Sequence, residues 1–390
     1  MRILYGIVGE GMGHATRSRV AIEHLLARGH TVHIVASHKA HAFLRAHFDV
    51  IPNVEVDEIG GLTLHYDANV MKLGKSLLRN LKLAPENLRK SLETYRSIVE
   101  RRRRPDLVVS DFESFAYLYG RMRRIPVISL DNMQILDRCA HPPEILEGAR
   151  RDYRIARYAV KAKLPGAYHY LVTSFFFPPV KRPRTTLLPP ILRPEILAAE
   201  RAPGEHVLVY LRAMPLEGLL PVLEAFPEQR FRVYGYDHAE VRGHVSVRPF
   251  SQEGFVEDLR TARAVVAGGG FSLMCEAVHL HVPMLAVPIG RQFEQELNAR
   301  WLAYLGYGDW AKTLSREALT RFLHHLPAHA EAVSTYQRHD NGMLYACLDE
   351  LLRCVELDEP PPPALKGPHM GTYQGPLLEE ERRGRHPKPG

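Results

Sequence analysis

Short unbroken apolar runs alternate along most of the chain with longer stretches of helical spacing. Residues 3–8 form the first such run, the pattern of a strand covered on both faces. Gly9-Glu10-Gly11-Met12-Gly13-His14 interrupts it. Residues 17–28 then set Val20, Leu25 and Leu26 among charges at helical spacing, and Gly29 suits a helix end. A second strand at 31–36 completes a βαβ unit, whose strands should run parallel. The alternation returns with strands at 106–110 and 125–130 around a helix at 115–122. In the second half, strands are predicted at 207–211, 231–234, 264–267 and 284–287, and helices at 217–225, 254–262, 272–279 and 294–305. A last helix is predicted at 343–355.

Two βα-alternating halves predict an α/β protein of two Rossmann-like, doubly wound parallel-sheet domains facing across a cleft. The proline-rich stretch at 177–190 reads as the connection between them, because proline suits neither helix interiors nor central strands. The expected organisation is a first Rossmann-like domain at 1–185 and a second at 186–340. A helix at 341–358 could return to the first domain, and a disordered tail follows at 359–390, rich in Pro, Gly, Arg and Glu.

Composition narrows the class. An apolar share of 45% with 24% charged residues is that of a globular protein, and no apolar run reaches the roughly 18 residues of a membrane span. The apolar N-terminus is too brief for a signal peptide. Cys139, Cys275, Cys347 and Cys354 are scattered without a Cys-x-x-Cys pair, which argues against a disulfide framework or zinc ribbon and fits a reducing cytoplasm. The net charge of +7 suits an anionic partner without choosing among a sugar nucleotide, a phospholipid surface and nucleic acid.

Two loops carry candidate chemistry. Gly268-Gly269-Gly270-Phe271-Ser272 follows a predicted strand and opens a helix, so backbone can approach a ligand closely and unpaired N–H groups face it. A diphosphate suits that position. Glu276, about one turn further on, could accept from a ribose diol; a tight turn with a solvated glutamate is the blander alternative. The second loop is Gly11-Met12-Gly13-His14-Ala15-Thr16-Arg17. It lacks the third glycine of a dinucleotide fingerprint and the Lys-Ser/Thr of a P-loop. His14 nevertheless falls at the mouth of a parallel sheet, where a neutral imidazole can take a proton from a hydroxyl. Glu10 is a spare base beside it. Asp111 ends a later strand, a position equally suited to a helix N-cap.

Gly-Gly-Phe-Ser-x-x-x-Glu-Ala, the strand Val-Pro-Met-Leu-Ala-Val-Pro and Glu-Gln-x-x-Asn-Ala together resemble the donor-binding region of GT-B glycosyltransferases. They are similar in particular to the UDP-glycosyltransferases and to the bacterial N-acetylglucosaminyltransferase that makes lipid II. The chain up to its tail resembles most a little-characterised prokaryotic GT-B group beginning Gly-Glu-Gly-x-Gly-His-x-x-Arg. The resemblance implies that Gly270, Phe271 and Ser272 lie against the diphosphate, that Glu276 holds the ribose, and that Glu294 and Gln295 hold the donor sugar. It also implies that His14 is the general base and that Asp111 orients it. Glu10, Gly11, Gly13 and Arg17 would then line the acceptor side. Plant-type members carry a histidine where this chain has Gly268, so Arg212 and Arg291 are candidates for the missing phosphate contact.

No Asp-x-Asp, His-Glu-x-x-His or EF-hand pattern is present, and His38-x-x-His41 lacks acidic company, so no metal or cofactor is expected. This agrees with the GT-B expectation that a helix dipole stabilises the departing diphosphate. The run Arg101 to Arg104 reads as a helix end. Arg150, Arg154, Arg157 and Lys161 form a basic stripe, which suits a solvated helix face or, alternatively, peripheral contact with an anionic membrane. Nothing supports specific nucleic-acid binding. The expected activity is inverting, metal-independent transfer from a nucleotide sugar to an acceptor hydroxyl, with acceptor contacts drawn partly from residues 60–92. A nucleotide-sugar hydrolase and a non-catalytic sugar-nucleotide-binding protein are the alternatives.

Overall fold

The computed structural model describes residues 1–9, 11–61, 66–67, 70–71, 73–100 and 104–365. Glu10, Arg101–Arg103, most of the expected tail and part of the stretch at 60–92 therefore lie outside the described residues. The first half supplies β1 (Arg2–Ile7), α1 (Met12–Ala27), β2 (Thr31–Ala36), α2 (His38–Phe48), β3 (Val54–Glu58), β4 (Tyr66–Asp67), β5 (Val70–Met71) and α3 (Leu73–Glu100). It continues through β6 (Leu107–Asp111), α4 (Ser114–Arg123), β7 (Val127–Asp131), α5 (Ile135–Arg138), α6 (Arg150–Lys163), β8 (His169–Thr173), β9 (Thr185–Leu188) and α7 (Pro194–Leu197). The second half supplies β10 (His206–Tyr210), α8 (Leu216–Glu224), β11 (Arg230–Tyr234), β12 (Glu240–Arg242), β13 (Val245–Val247), α9 (Gln252–Thr261) and β14 (Ala264–Ala267). It ends with α10 (Phe271–His279), β15 (Met284–Ala286), α11 (Phe293–Tyr304), β16 (Gly308–Trp310), α12 (Arg316–Ser334) and α13 (Gly342–Glu356).

Seven strands in the order β3-β2-β1-β6-β7-β8-β9 make the first sheet, and every neighbouring pair is parallel. The second sheet runs β12-β13-β11-β10-β14-β15-β16, parallel except for β12 against β13. The fold is thus GT-B, as the sequence predicts. Its central strands are fully buried and correspondingly apolar: Val207, Leu208 and Val209 of β10, and all of β14 from Ala264 to Ala267, are at 0% exposure. In each sheet the strand order reverses beside the first strand, between β1 and β6 and between β10 and β14. Ligands of doubly wound sheets bind beyond the carboxyl ends of the strands at this switch point.

Two expectations are corrected. The proline-rich stretch at 177–190 contains β9, which pairs in parallel with β8, so the first sheet extends to Leu188 and takes residues assigned to the second half. Phe175 and Phe176, just before that stretch, are buried rather than spanning a hinge. Phe176 stacks on Trp301 of α11 at 4.7 Å between centroids, joining the two halves through one apolar cluster. Helix α13 returns to the first sheet, where Leu344, Cys347, Leu348 and Leu351 share a core with Val20 and Ile22 of α1. The start of the expected tail is also packed there. Tyr168 donates to the Glu359 carbonyl at 2.8 Å, Arg184 N–H donates to the Pro363 carbonyl at 2.7 Å, and Leu365 is 8% exposed. No disulfide joins the four cysteines, all of which are buried. Among the described residues, no helix is long and apolar enough to cross a membrane.

Candidate functional site

Both switch points deliver their loops to one place. Helix α1 begins at Met12, ahead of the expected start, and its N-cap is Gly11 at φ 84°, a region that favours glycine. Helix α10 begins at Phe271 with Gly270 as N-cap. Among the described residues, neither N-terminus has a side-chain cap or an acidic residue in its first turn, which leaves their leading N–H groups to face a ligand. The two helices approach so closely at Gly13 that a Cβ there would stand 2.2 Å from Ser272 Oγ. A side chain at 13 would have to displace the Ser272 side chain.

His14 and Asp111 are in contact, with Nδ1 2.8 Å from Oδ1. Strand register explains the meeting: Asp111 pairs with Ile7 at the carboxyl end of β6, and His14 lies just beyond β1. The N-cap role open to Asp111 belongs instead to Glu113, whose carboxylate accepts from the N–H groups of Phe115 and Ala116 at 2.6 and 2.7 Å. Asp111 is 1% exposed and fully engaged. Arg17 donates from Nε to Oδ2 at 2.8 Å and from Nη2 to Oδ1 at 2.5 Å, and Ser18 Oγ donates to Oδ2 at 3.0 Å. Burial alone would raise this carboxyl, but Arg17 and His14 outweigh it and hold Asp111 well below the usual range. Burial lowers His14, reinforced by the nearby cations Arg17 and Lys163 against the pull of Asp111, so the imidazole is neutral near pH 7.

Arg17, expected on the acceptor side, lies beneath the pair at 5% exposure. Its third arm reaches Asn132, where Nη1 donates to Oδ1 at 2.6 Å. Asn132 in turn donates from Nδ2 to Glu294 Oε1 on α11 at 2.7 Å. Asn298, one turn along α11, donates to the same oxygen at 2.6 Å and to the Gly269 carbonyl at 3.2 Å. A continuous polar chain thus runs from His14 through Asp111, Arg17, Asn132, Glu294 and Asn298 to the glycine loop. Burial pushes Glu294 up to about 7, against the opposing pull of Asn298, Arg17 and Asn132.

The other candidate residues divide into open and occupied groups. Gly269 is forced by backbone approach, since a Cβ would stand 2.4 Å from the Gln295 carbonyl oxygen, whereas a Cβ at Gly270 would meet nothing within 4 Å. Gly268 lies beside the Gln295 side chain. Phe271 turns its ring into the core at 8% exposure, so only its backbone is available to a ligand. Gln295 is turned into its own loop: it donates to Gln292 Oε1 at 2.6 Å and accepts from the Ile289 N–H at 3.0 Å. Glu276 is held by a residue that no sequence motif points to. Arg193, the N-cap of α7, donates from Nε to Oε1 at 2.8 Å and from Nη2 to Oε2 at 2.9 Å. Burial raises Glu276 against this pairing. Arg212 and Arg291 are both exposed, Arg212 just past β10 and Arg291 in the β15–α11 loop.

Of the basic stripe, Arg150, Arg154 and Lys161 are exposed, while Arg157 is tied to Asp137 at 3.1 Å. No group of three or more His, Cys, Asp or Glu suited to a metal ion occurs among the described residues.

Comparison with known proteins agrees with this architecture. The family model described as glycosyl transferase family 1 matches residues 1–327. A glycosyltransferase of Methanosarcina acetivorans, itself uncharacterized, is 24% identical over 343 residues, covering 81% of this chain and 85% of its own. An uncharacterized glycosyltransferase of Methanosarcina mazei is 23% identical over 339 residues, covering 79% and 85%. Among solved structures, the glycotransferase of kitacinnamycin superposes with a TM-score of 0.60 at 19% identity, covering 93% of this chain and 99% of its own. LpCGTa in complex with UDP gives a TM-score of 0.62 at 15% identity, covering 91% and 99%. With the family model spanning both sheets and the fold shared with these structures, the chain belongs to glycosyl transferase family 1 and is a glycosyltransferase.

Proposed function

We propose that this enzyme moves a sugar from a nucleotide-diphosphate donor of the UDP-sugar class to an acceptor hydroxyl, with inversion at the anomeric carbon and without a metal ion. The observation that carries the reading is the convergence of two uncapped helix N-termini across one cleft, one bearing the His14–Asp111 pair and the other the Gly268–Ser272 loop. With Nδ1–H directed at Asp111, His14 Nε2 is free to take the acceptor's hydroxyl proton. The acceptor oxygen then bonds to the anomeric carbon as the bond from that carbon to the phosphate oxygen breaks. The nucleotide diphosphate leaves with the electron pair, toward the N–H groups of Phe271 and Ser272.

Glu276, fixed by Arg193, is set for the ribose, and Glu294 for a donor-sugar hydroxyl. Gln295 has to release Gln292 or Ile289 before it can assist. Arg212 and Arg291 are free to approach the phosphates, and Gly11 and Gly13 border the acceptor side. The UDP in the LpCGTa structure supports a uridine nucleotide as leaving group. Incubation with a panel of UDP- and dTDP-sugars and candidate acceptors tests the proposal. Expected are nucleotide release dependent on acceptor and a product of inverted anomeric configuration by NMR. Acceptor-independent release of free sugar would identify a hydrolase, and binding without release a sugar-nucleotide-binding protein.

A further inference from the structure

We infer that Asn132 is a positioning residue, through which the donor side of the cleft at Glu294 sets the hydrogen bonding of His14. The inference deepens the reading of His14 as base and rests on it. An asparagine side chain has one accepting end and one donating end. Here Oδ1 faces the Arg17 guanidinium at 2.6 Å, which can only donate, and Nδ2 donates to Glu294 Oε1 at 2.7 Å, so the donor-only guanidinium on one side and the accepting oxygen on the other dictate its orientation. Asn132 is 4% exposed, and it follows β7 directly, beside the end of β6 that carries Asp111.

What Asn132 fixes is Arg17, and Arg17 matters because His14 Nδ1 has two competing neighbours. Asp111 Oδ1 lies 2.8 Å away and can only accept; Arg17 Nη2 lies 2.7 Å away and can only donate. A proton on Nδ1 satisfies Asp111 and leaves Nε2 as a base. A lone pair on Nδ1 satisfies Arg17 and puts the proton on Nε2, which then cannot act as one. The tilt of the guanidinium decides between these states, and the Asn132 amide holds its Nη1 corner. Glu294 holds the amide from the other half of the molecule. A sugar hydroxyl that binds Glu294 therefore acts on the same chain that selects the base-competent tautomer.

Two measurements on the full chain test this. In protein labelled with ¹⁵N-histidine, with the His14 signals identified by their loss in His14→Gln, Asn132→Ala should move the His14 ring-nitrogen shifts. Glu294→Ala, across the cleft, should move them in the same direction. Unchanged shifts in both variants overturn the inference, whether or not a donor has been found; failure of every donor in the panel would count against the proposed reaction alone. In turnover assays Asn132→Ala should lower kcat by roughly tenfold or more, with a smaller change in KM. The near-isosteric Asn132→Asp can still accept from Arg17 but meets a second carboxylate at Glu294. Its rate relative to wild type at the same pH should recover as pH falls and the facing pair takes up a proton. A wild-type pH profile for Asn132→Asp would contradict the coupling.

Discussion

Arg17 grips Asp111 through two N–H groups, Nε to Oδ2 at 2.8 Å and Nη2 to Oδ1 at 2.5 Å, and both partners are almost wholly buried. A bidentate guanidinium–carboxylate pair is strong in the folded state, and removing one partner strands a buried charge. Arg17→Ala is expected to destabilise the protein by about 3–5 kcal/mol. Arg17→Lys should recover only part of this, because an ammonium cannot reproduce the planar fork. Urea unfolding of the two variants beside wild type reads the difference.

The lowered His14 gives turnover a defined pH dependence. A base works when neutral, so kcat/KM should fall on acidification with a limb below the ordinary histidine value of about 6.5. His14→Ala should cut kcat by roughly 10²–10⁴-fold and remove that limb, with donor affinity little changed. Rates measured from pH 4.5 to 8 decide it; a limb that survives in His14→Ala assigns the base elsewhere.

Asp131 predicts a pH dependence of stability. Burial is the main cause that pushes it up to about 6, with help from the Asp111 charge and against bonds from Ser129 Oγ at 2.6 Å and the Gln134 N–H at 2.9 Å. A carboxyl raised above its unfolded value of about 3.9 contributes stability below that value, and loses it as pH rises through the folded one. The native state holds the extra proton between about 4 and 6, so Asp131 opposes folding at neutral pH. Asp131→Asn keeps the acceptor for Gln134 and removes the charge. It should stabilise the protein by about 1–3 kcal/mol at pH 8 and little at pH 4. Unfolding curves at both values measure this.

The Arg193–Glu276 pair predicts a different kinetic signature. Neither residue lies with the proton-transfer pair, so Glu276→Ala and Arg193→Ala should raise the donor KM by roughly tenfold while kcat falls less. Equal losses in kcat and kcat/KM would assign the pair to the transition state instead.

The sheets were legible because their central strands are uninterrupted apolar runs. Residues 31–36 and 264–267 coincide with β2 and β14. By contrast, β9 was hidden by the prolines around Thr185–Leu188, since its place comes from pairing with β8 rather than from local pattern. Likewise β12 and β13 have only three residues each, too few to show a period. The glycine loops and His14 could be found because backbone turns and motifs are local. Asn132 and Arg193 could not, as their partners Glu294 and Glu276 lie 162 and 83 residues away and a single polar residue carries no periodic signal. Arg17 was noticed for its motif, but its burial was not legible, because it follows from bonds to Asp111 and Asn132, 94 and 115 residues away.

Gly270 offers the most direct measurement of where the anion binds. Its backbone is extended at φ −66° and ψ 126°, and a Cβ there meets nothing within 4 Å, so an aspartate fits without strain. Asp is a favoured N-cap, so Gly270→Asp should fold at least as well as wild type while placing a carboxylate at the end of α10. Calorimetric titration with UDP should give binding to wild type and none to Gly270→Asp, whose melting temperature is unchanged or raised. Equal UDP affinity in the two proteins would contradict the placement of the diphosphate at this helix.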